Sequence, residues 1–182
     1  MTFEAAFAFV VGVEGVYSRD PRDKGNWTSG QRGVGELKGT KYGVSAASYP
    51  LLDLEHLSLA EARAIYEQDY WRASRCQLMP PAWALLVFDA AVHSGPWASI
   101  QFAQRALWVA DDGICGPITL AAIQRASSDM DRILQALRYR HDHQSEGDPE
   151  QWRVNKGGWM IRLMRLAIQC SVWAEQANEQ VE

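Results

Sequence analysis

Paired cysteines, basic blocks and long apolar runs are all scarce in this 182-residue chain, and each scarcity closes off a class of function. Its three cysteines, Cys76, Cys115 and Cys170, lie far apart and form no CxxC and no Cys/His cluster at zinc spacing. A disulfide frame and a metal site are therefore not indicated, and the thiols are expected to pack as small apolar side chains. Eighteen Lys and Arg are spread along a chain of net charge −4. That leaves no basic footprint for nucleic acid and no block suited to an anionic membrane surface. No apolar run approaches the roughly 20 residues that span a bilayer, so no stable membrane insertion is expected. The N-terminus "MTFEAAFAFVVGVEG" has Glu4 where a secretory leader has basic residues. The expectation is a chain that stays in the cytoplasm unless something else releases it.

What is present reads as a folded protein, 47% apolar and 22% charged. Thr2 as an N-cap and Phe3, Phe7, Val10 and Val11 at helical spacing predict a helix over 2–13. Its near-continuous apolarity predicts burial all round. Glycines at 15, 25, 30, 33, 35, 39 and 43 predict turns and short hairpin strands over 15–44. A capping box, Ser58 with Glu61, opens a helix over 58–71. Pro80 and Pro81 start another, stopped at Gly95, and Pro96 and Pro117 start two more. Two further helices fit 129–144 and 157–178, separated by the polar "SEGDPEQW". The fold class is mainly α, about seven helices with a small β-hairpin or loop element near the N-terminus. Trp97, Trp108, Trp152, Trp159 and Trp173 are assigned to the core by default.

Glu14 ends the apolar segment, and Asp20, Asp23, Trp27 and Thr28 follow in a polar stretch. Desolvation and the negative helix end would both raise the Glu14 carboxyl, leaving it a proton donor near neutral pH. Glycosidic cleavage needs such an acid together with a wetter, ionised carboxylate, a description that Asp20 and Asp23 meet. The Thr28 hydroxyl could hold a water. Trp27 and Tyr42 could stack on sugar rings, with packing in the core as the close alternative. The same residues also read as a solvated helix end followed by ordinary Asp turn chemistry. His93, His141 and His143 fall on predicted helices; His141 and His143, two apart, do not share a face and form no metal pair. His93 is expected at a helix end, where it could line the cleft, without a catalytic role.

"FVVGVEGVYSRDPRDKGNWT" resembles the E-G-G-Y-x-x-D-P-x-D-x-G-G-x-T signature of the glycoside hydrolase family 108 muramidases. This family includes phage endolysins and bacterial proteins labelled secretion activators. The likeness continues in "GTKYGVSAASYP", "LSLAEARAIYEQDYW", "LLVFDAAVHSGPWASIQFAQRAL", "DDGICGPITLAAI" and "GGWMIRLMRL". It departs at Val16, where the signature has glycine, at Asn26-Trp27, where it has Gly-x, and in the extra segment 29–39. The resemblance implies a single lysozyme-like domain over 1–182. Residues 1–94 would be the catalytic segment, and 95–182 a helical, predicted peptidoglycan-binding region packed against it.

It further implies a peptidoglycan hydrolase, an N-acetylmuramidase of lysozyme activity that cuts the β-1,4 bond between N-acetylmuramic acid and N-acetylglucosamine. Glu14 would be the general acid and Asp23 and Thr28 its catalytic partners. Asp20, Trp27 and Tyr42 would face substrate, with Asp20 shaping the turn through Pro21. No metal or organic cofactor is implied. The expected partners are bacterial peptidoglycan glycan strands, the expected state a monomer, and the expected setting a phage or prophage endolysin waiting in the host cytoplasm. The rival readings are a lytic transglycosylase, which uses one acid and no water, and a non-catalytic wall-binding or assembly protein on the same fold.

Overall fold

The computed structural model describes residues 1–11, 17–147 and 149–179. Among them the chain forms seven α-helices and one antiparallel hairpin, the mainly α class read from the sequence. They divide into two compact units: Phe7–Glu67, and Met1–Ala6 together with Gln68–Glu182.

The first helix, α1, runs Phe3–Val10, and the Ala5 amide donates to Thr2 Oγ1 at 3.3 Å, so Thr2 does cap it. Burial is one-sided and not all round. Phe3, Ala6, Phe7 and Val10 are buried, whereas Glu4, Ala5, Ala8 and Phe9 are exposed. The spacing 3, 6, 7, 10 makes one helical face, and two of the outward positions are alanines, whose exposure carries little penalty. Residues 12–16, which include Glu14 and Val16, lie outside the described residues.

Within Phe7–Glu67, the glycine-rich stretch forms turns and a short hairpin, as its composition predicts. A turn of 3-10 helix covers Lys24–Asn26, and strands β1 (Thr40–Lys41) and β2 (Val44–Ser45) pair antiparallel, with Thr40 opposite Ser45. The bridge Ser18–Thr40 ties the preceding loop to this hairpin, and a second bridge, Trp27–Leu37, closes the loop on itself just before β1. Helix α2, Leu59–Tyr66, begins with the expected capping box. The Glu61 amide donates to Ser58 Oγ at 3.2 Å, and the Ser58 amide donates to the Glu61 carboxylate at 2.8 Å. Phe7 and Tyr66 meet edge to face at 5.6 Å in the core of this unit.

In the second unit, α3 (Pro81–Ser94) is the buried centre, with every residue from Ala82 to Ala91 inside. Around it pack α4 (Pro96–Ala106), α6 (Met130–Glu146) and α7 (Pro149–Glu179); α5 is Pro117–Arg125. Phe3, Trp71 and Phe88 form an edge-to-face cluster with centroids 5.5–5.9 Å apart. All three cysteines are free and buried, as expected, and burial pushes the Cys170 thiol up to about 12.

Two expectations change here. α7 starts at Pro149, well before 157, because proline fits the first turn of a helix; it then carries Gly157 and Gly158 in its interior. The five tryptophans assigned to the core are not buried. Trp97 and Trp108 are 60% and 75% exposed, and Trp152, Trp159 and Trp173 are half-buried. Trp97 instead donates from Nε1 to the Asp112 carbonyl at 3.1 Å, and the Trp108 ring lies 3.7 Å under the Arg132 guanidinium. An indole has a polar edge and a π face, so surface partners of this kind can hold it without burial.

Candidate functional site

The five candidates that fall among the described residues all lie in the Phe7–Glu67 unit, on or next to one loop. Asn26 organises that loop. It is fully buried, its side-chain amide donates to the Asp20 carbonyl at 3.0 Å, and its Oδ1 accepts from the Thr40 hydroxyl at 2.7 Å. Its own carbonyl accepts from the Lys38 and Gly39 amides, both at 3.0 Å. The residue that departs from the signature glycine thus fastens the loop 20–28 to the start of β1. A buried amide needs such partners, and here it has them at both ends.

The candidate carboxylates differ in their surroundings. Asp20 accepts from the Arg22 amide at 2.9 Å and pairs with the Arg22 guanidinium at 2.7 Å. Those hydrogen bonds hold its carboxyl down at about 2. Asp20 is therefore an ionised turn residue and no source of protons at neutral pH. Asp23 is exposed and caps the 3-10 turn, its Oδ1 accepting from the Gly25 amide at 2.8 Å. Its Oδ2 accepts no hydrogen bond from the described residues.

Trp27 is half-buried and donates from Nε1 to the Pro21 carbonyl at 2.9 Å, which brings it onto the Asp20 turn. Thr28 is turned toward the extra segment 29–39. Its Oγ1 accepts from the Glu36 amide at 2.9 Å and its amide donates to the Glu36 carbonyl at 2.9 Å. The extra residues are thus closed into a ring, and the Thr28 oxygen serves as its latch; the hydroxyl proton remains free to donate. Tyr42 has φ of +50° and accepts at its carbonyl from the Tyr66 hydroxyl at 3.1 Å. Lys41 Nζ sits 5.7 Å from the Tyr42 ring. The structure thus brings Asp20, Asp23 and Trp27 together on one turn and places Thr28 at its exit, with Tyr42 in the hairpin beyond.

A cleft of about 250 Å³ in the same unit is lined by Tyr17, Arg19, Lys38, Asp53 and neighbouring leucines. Arg19 and Lys38 spend donors on the Leu37 and Pro50 carbonyls, and the Tyr17 hydroxyl donates to the Lys38 carbonyl. None of the five candidates lines this cleft. Its walls come from residues 17–19, 37–38 and 51–55, with the two cations held in place by backbone carbonyls.

In the other unit lies a charged group that sequence reasoning passed over. Asp89, fully buried in α3, pairs with Arg140 of α6 and accepts from Arg162 Nε of α7 at 2.9 Å. Burial alone would raise its carboxyl, but the two guanidinium groups outweigh that and hold it below its usual range. One turn on, His93 meets the Trp159 ring at 5.3 Å. Burial, aided by Arg140 and Arg162, lowers His93 to about 4. His141 packs on Trp152 and His143 on Phe102, so the two histidines do part to different neighbours. The signal for Asp89 was available: a lone carboxylate in "LLVFDAAV" is as conspicuous as Glu14 after its own apolar run.

Residues 7–95 match the model of the family described as Glycosyl hydrolase 108. No curated protein matches the chain. Among solved structures it is similar to SagA of Brucella abortus, at 23% sequence identity and a TM-score of 0.78, with 94% of this chain and 95% of that chain covered. That likeness carries the fold, mainly α and lysozyme-like with one small hairpin.

Proposed function

Because its residues 7–95 match the glycosyl hydrolase 108 family model, we propose that the protein is a peptidoglycan hydrolase of that family, an N-acetylmuramidase cutting the β-1,4 bond between N-acetylmuramic acid and N-acetylglucosamine. The observation that carries this reading is the extent of the family match, which runs through Glu14, Asp20, Asp23 and Thr28 together. Glu14 is the proposed general acid, giving its proton to the glycosidic oxygen as the bond to the leaving sugar breaks. Asp23 supports the second role. It is exposed, and one carboxylate oxygen is unclaimed by the described residues, so it can stabilise an oxocarbenium-like centre or accept a proton from attacking water. Thr28, whose oxygen already accepts from Glu36, retains one hydroxyl proton with which to orient that water. Asp20, fixed by Arg22, belongs to the shape of the turn; Trp27 and Tyr42 are the proposed sugar-facing rings.

A role as a phage or prophage endolysin held in the host cytoplasm until lysis is part of the same proposal. No helix among the described residues is long and apolar enough to cross a membrane, which is compatible with that role without requiring it. The test is release of reducing ends from purified peptidoglycan. The wild-type chain should release them, and Glu14→Gln should lose at least a hundredfold in rate while melting at the same temperature, since a missing general acid removes about 10²–10⁴. Retained activity in that variant would remove Glu14 from the mechanism, and 1,6-anhydro ends in the products would reassign the enzyme as a lytic transglycosylase.

A further inference from the structure

Where α3, α6 and α7 meet, a cleft of about 340 Å³ is lined by His93 and Ser94 of α3, His143 and Gln144 of α6, and Gln151 and Trp159 of α7. Its size lies near the small end of the roughly 300–1,000 Å³ typical of small-molecule sites. That scale suits a single sugar residue and not an extended chain.

Gln144 is the group that demands a partner. It is 8% exposed, and both polar atoms of its side-chain amide are shut from solvent without a hydrogen bond to the described residues. Buried amides are nearly always paired, so one left unpaired in the wall of a cleft points to a partner from outside the chain. Rotamer changes are common on binding, and rotation of this amide toward the cleft supplies both an N–H donor and a carbonyl acceptor.

The rest of the lining shares that two-way character. Ser94 carries a hydroxyl, and His93, uncharged down to about pH 4, has one nitrogen that donates and one that accepts. None of the lining side chains is a carboxylate, a lysine or an arginine. Asp89, Arg140 and Arg162 engage one another and do not line the cleft, and Glu146 and Glu150 are exposed outside it. A carboxylate ligand would only accept and an ammonium only donate, whereas hydroxyls and amides do both. The Trp159 indole adds an apolar ring for the C–H face of a sugar, held by ring contacts with His93 at 5.3 Å and Trp152 at 6.1 Å.

We propose that this cleft binds one acetamido sugar of the N-acetylglucosamine type, with Gln144 pairing with its acetamido group and Trp159 lying against its ring. The choice of an acetamido sugar over another neutral polyol rests on the proposed muramidase activity. Binding itself needs no turnover, so the cleft adds affinity for wall glycan whether or not Glu14 cuts it.

The test is titration of the full chain with N-acetylglucosamine, followed in proton–nitrogen correlation spectra. The sugar should shift the side-chain amide signals of Gln144 and the indole N–H of Trp159, and glucose, which has no acetamido group, should not. Gln144→Leu puts an apolar side chain where a polar one lacks a partner. It should therefore weaken the sugar roughly tenfold yet melt no lower than the wild type. Trp159→Leu should weaken it to a similar extent. Wild-type affinity in Gln144→Leu overturns the proposal, and so does a loss of affinity that comes with a lower melting temperature, which makes the amide a structural group. Equal shifts with glucose overturn the choice of ligand. Release of reducing ends from peptidoglycan is read separately. Sugar binding that needs Gln144 in a chain that releases none upholds this site and overturns the muramidase. Release by a wild-type chain whose Gln144 and Trp159 signals ignore the sugar does the reverse.

Discussion

Asn26 does more to define the candidate site than either neighbouring aspartate. It replaces a glycine of the signature, yet it is the residue whose side chain joins the Asp20 turn to Thr40. Asn26→Ala would leave the Thr40 hydroxyl and the Asp20 carbonyl short of a partner in a buried place. An unsatisfied buried group costs about 1–3 kcal/mol, so the variant should unfold at lower denaturant with little change in slope. Equal stability would mean that water replaces the amide without penalty. Activity should fall with it, because Asp23 and Trp27 sit on the turn that Asn26 anchors. The Asp20 carboxylate, held at about 2 by Arg22, is by contrast a fixed charge across the whole working range.

At the level of elements, glycine content marked 15–44 as turns, and one glycine there is needed for two reasons at once. Gly39 has φ of +87°, and a Cβ there would stand 2.4 Å from the Ser18 carbonyl oxygen. That carbonyl accepts from the Thr40 amide at 2.8 Å, so alanine would strain the backbone and push apart the Ser18–Thr40 bridge. Gly33, at φ of +76° with nothing within 4 Å, incurs the strain alone. Gly39→Ala should therefore be more destabilising than Gly33→Ala by about 1–3 kcal/mol in paired denaturation curves, and near-equal losses would refute the clash. Local chemistry made these turns, the capping box at Ser58 and the proline-started helices legible in the sequence. Facing was less legible. α1 reads as apolar all round, yet buries one side only, since alanine is indifferent to exposure. Trp97 and Trp108 read as core, yet are held outside by a carbonyl and a guanidinium that no periodicity announces.

At the scale of the whole molecule, the interactions hardest to read are those between distant parts of the chain, and the buried charges are the clearest case. Arg140 and Arg162 lie 51 and 73 residues beyond Asp89, a separation that no local spacing reveals. Their field also bears on His93, which the fold keeps neutral down to about pH 4 against an ordinary value of 6.5. The unfolded chain takes up this proton as pH falls below about 6.5, while the folded chain refuses it until about 4. Stability is then fully present above the upper value, declines between the two, and has lost the whole contribution below the lower one. A shift of this size corresponds to something on the order of 3 kcal/mol. Asp89 shifts in the opposite sense to its burial and contributes stability that is lost only below the usual carboxylate range. Of these two buried groups among the described residues, His93 is the one whose change falls in the window from 6.5 to 4. Thermal melts of the wild type should fall steeply across that window, and those of His93→Gln should fall less. Parallel curves for the two would place the acid sensitivity elsewhere in the molecule.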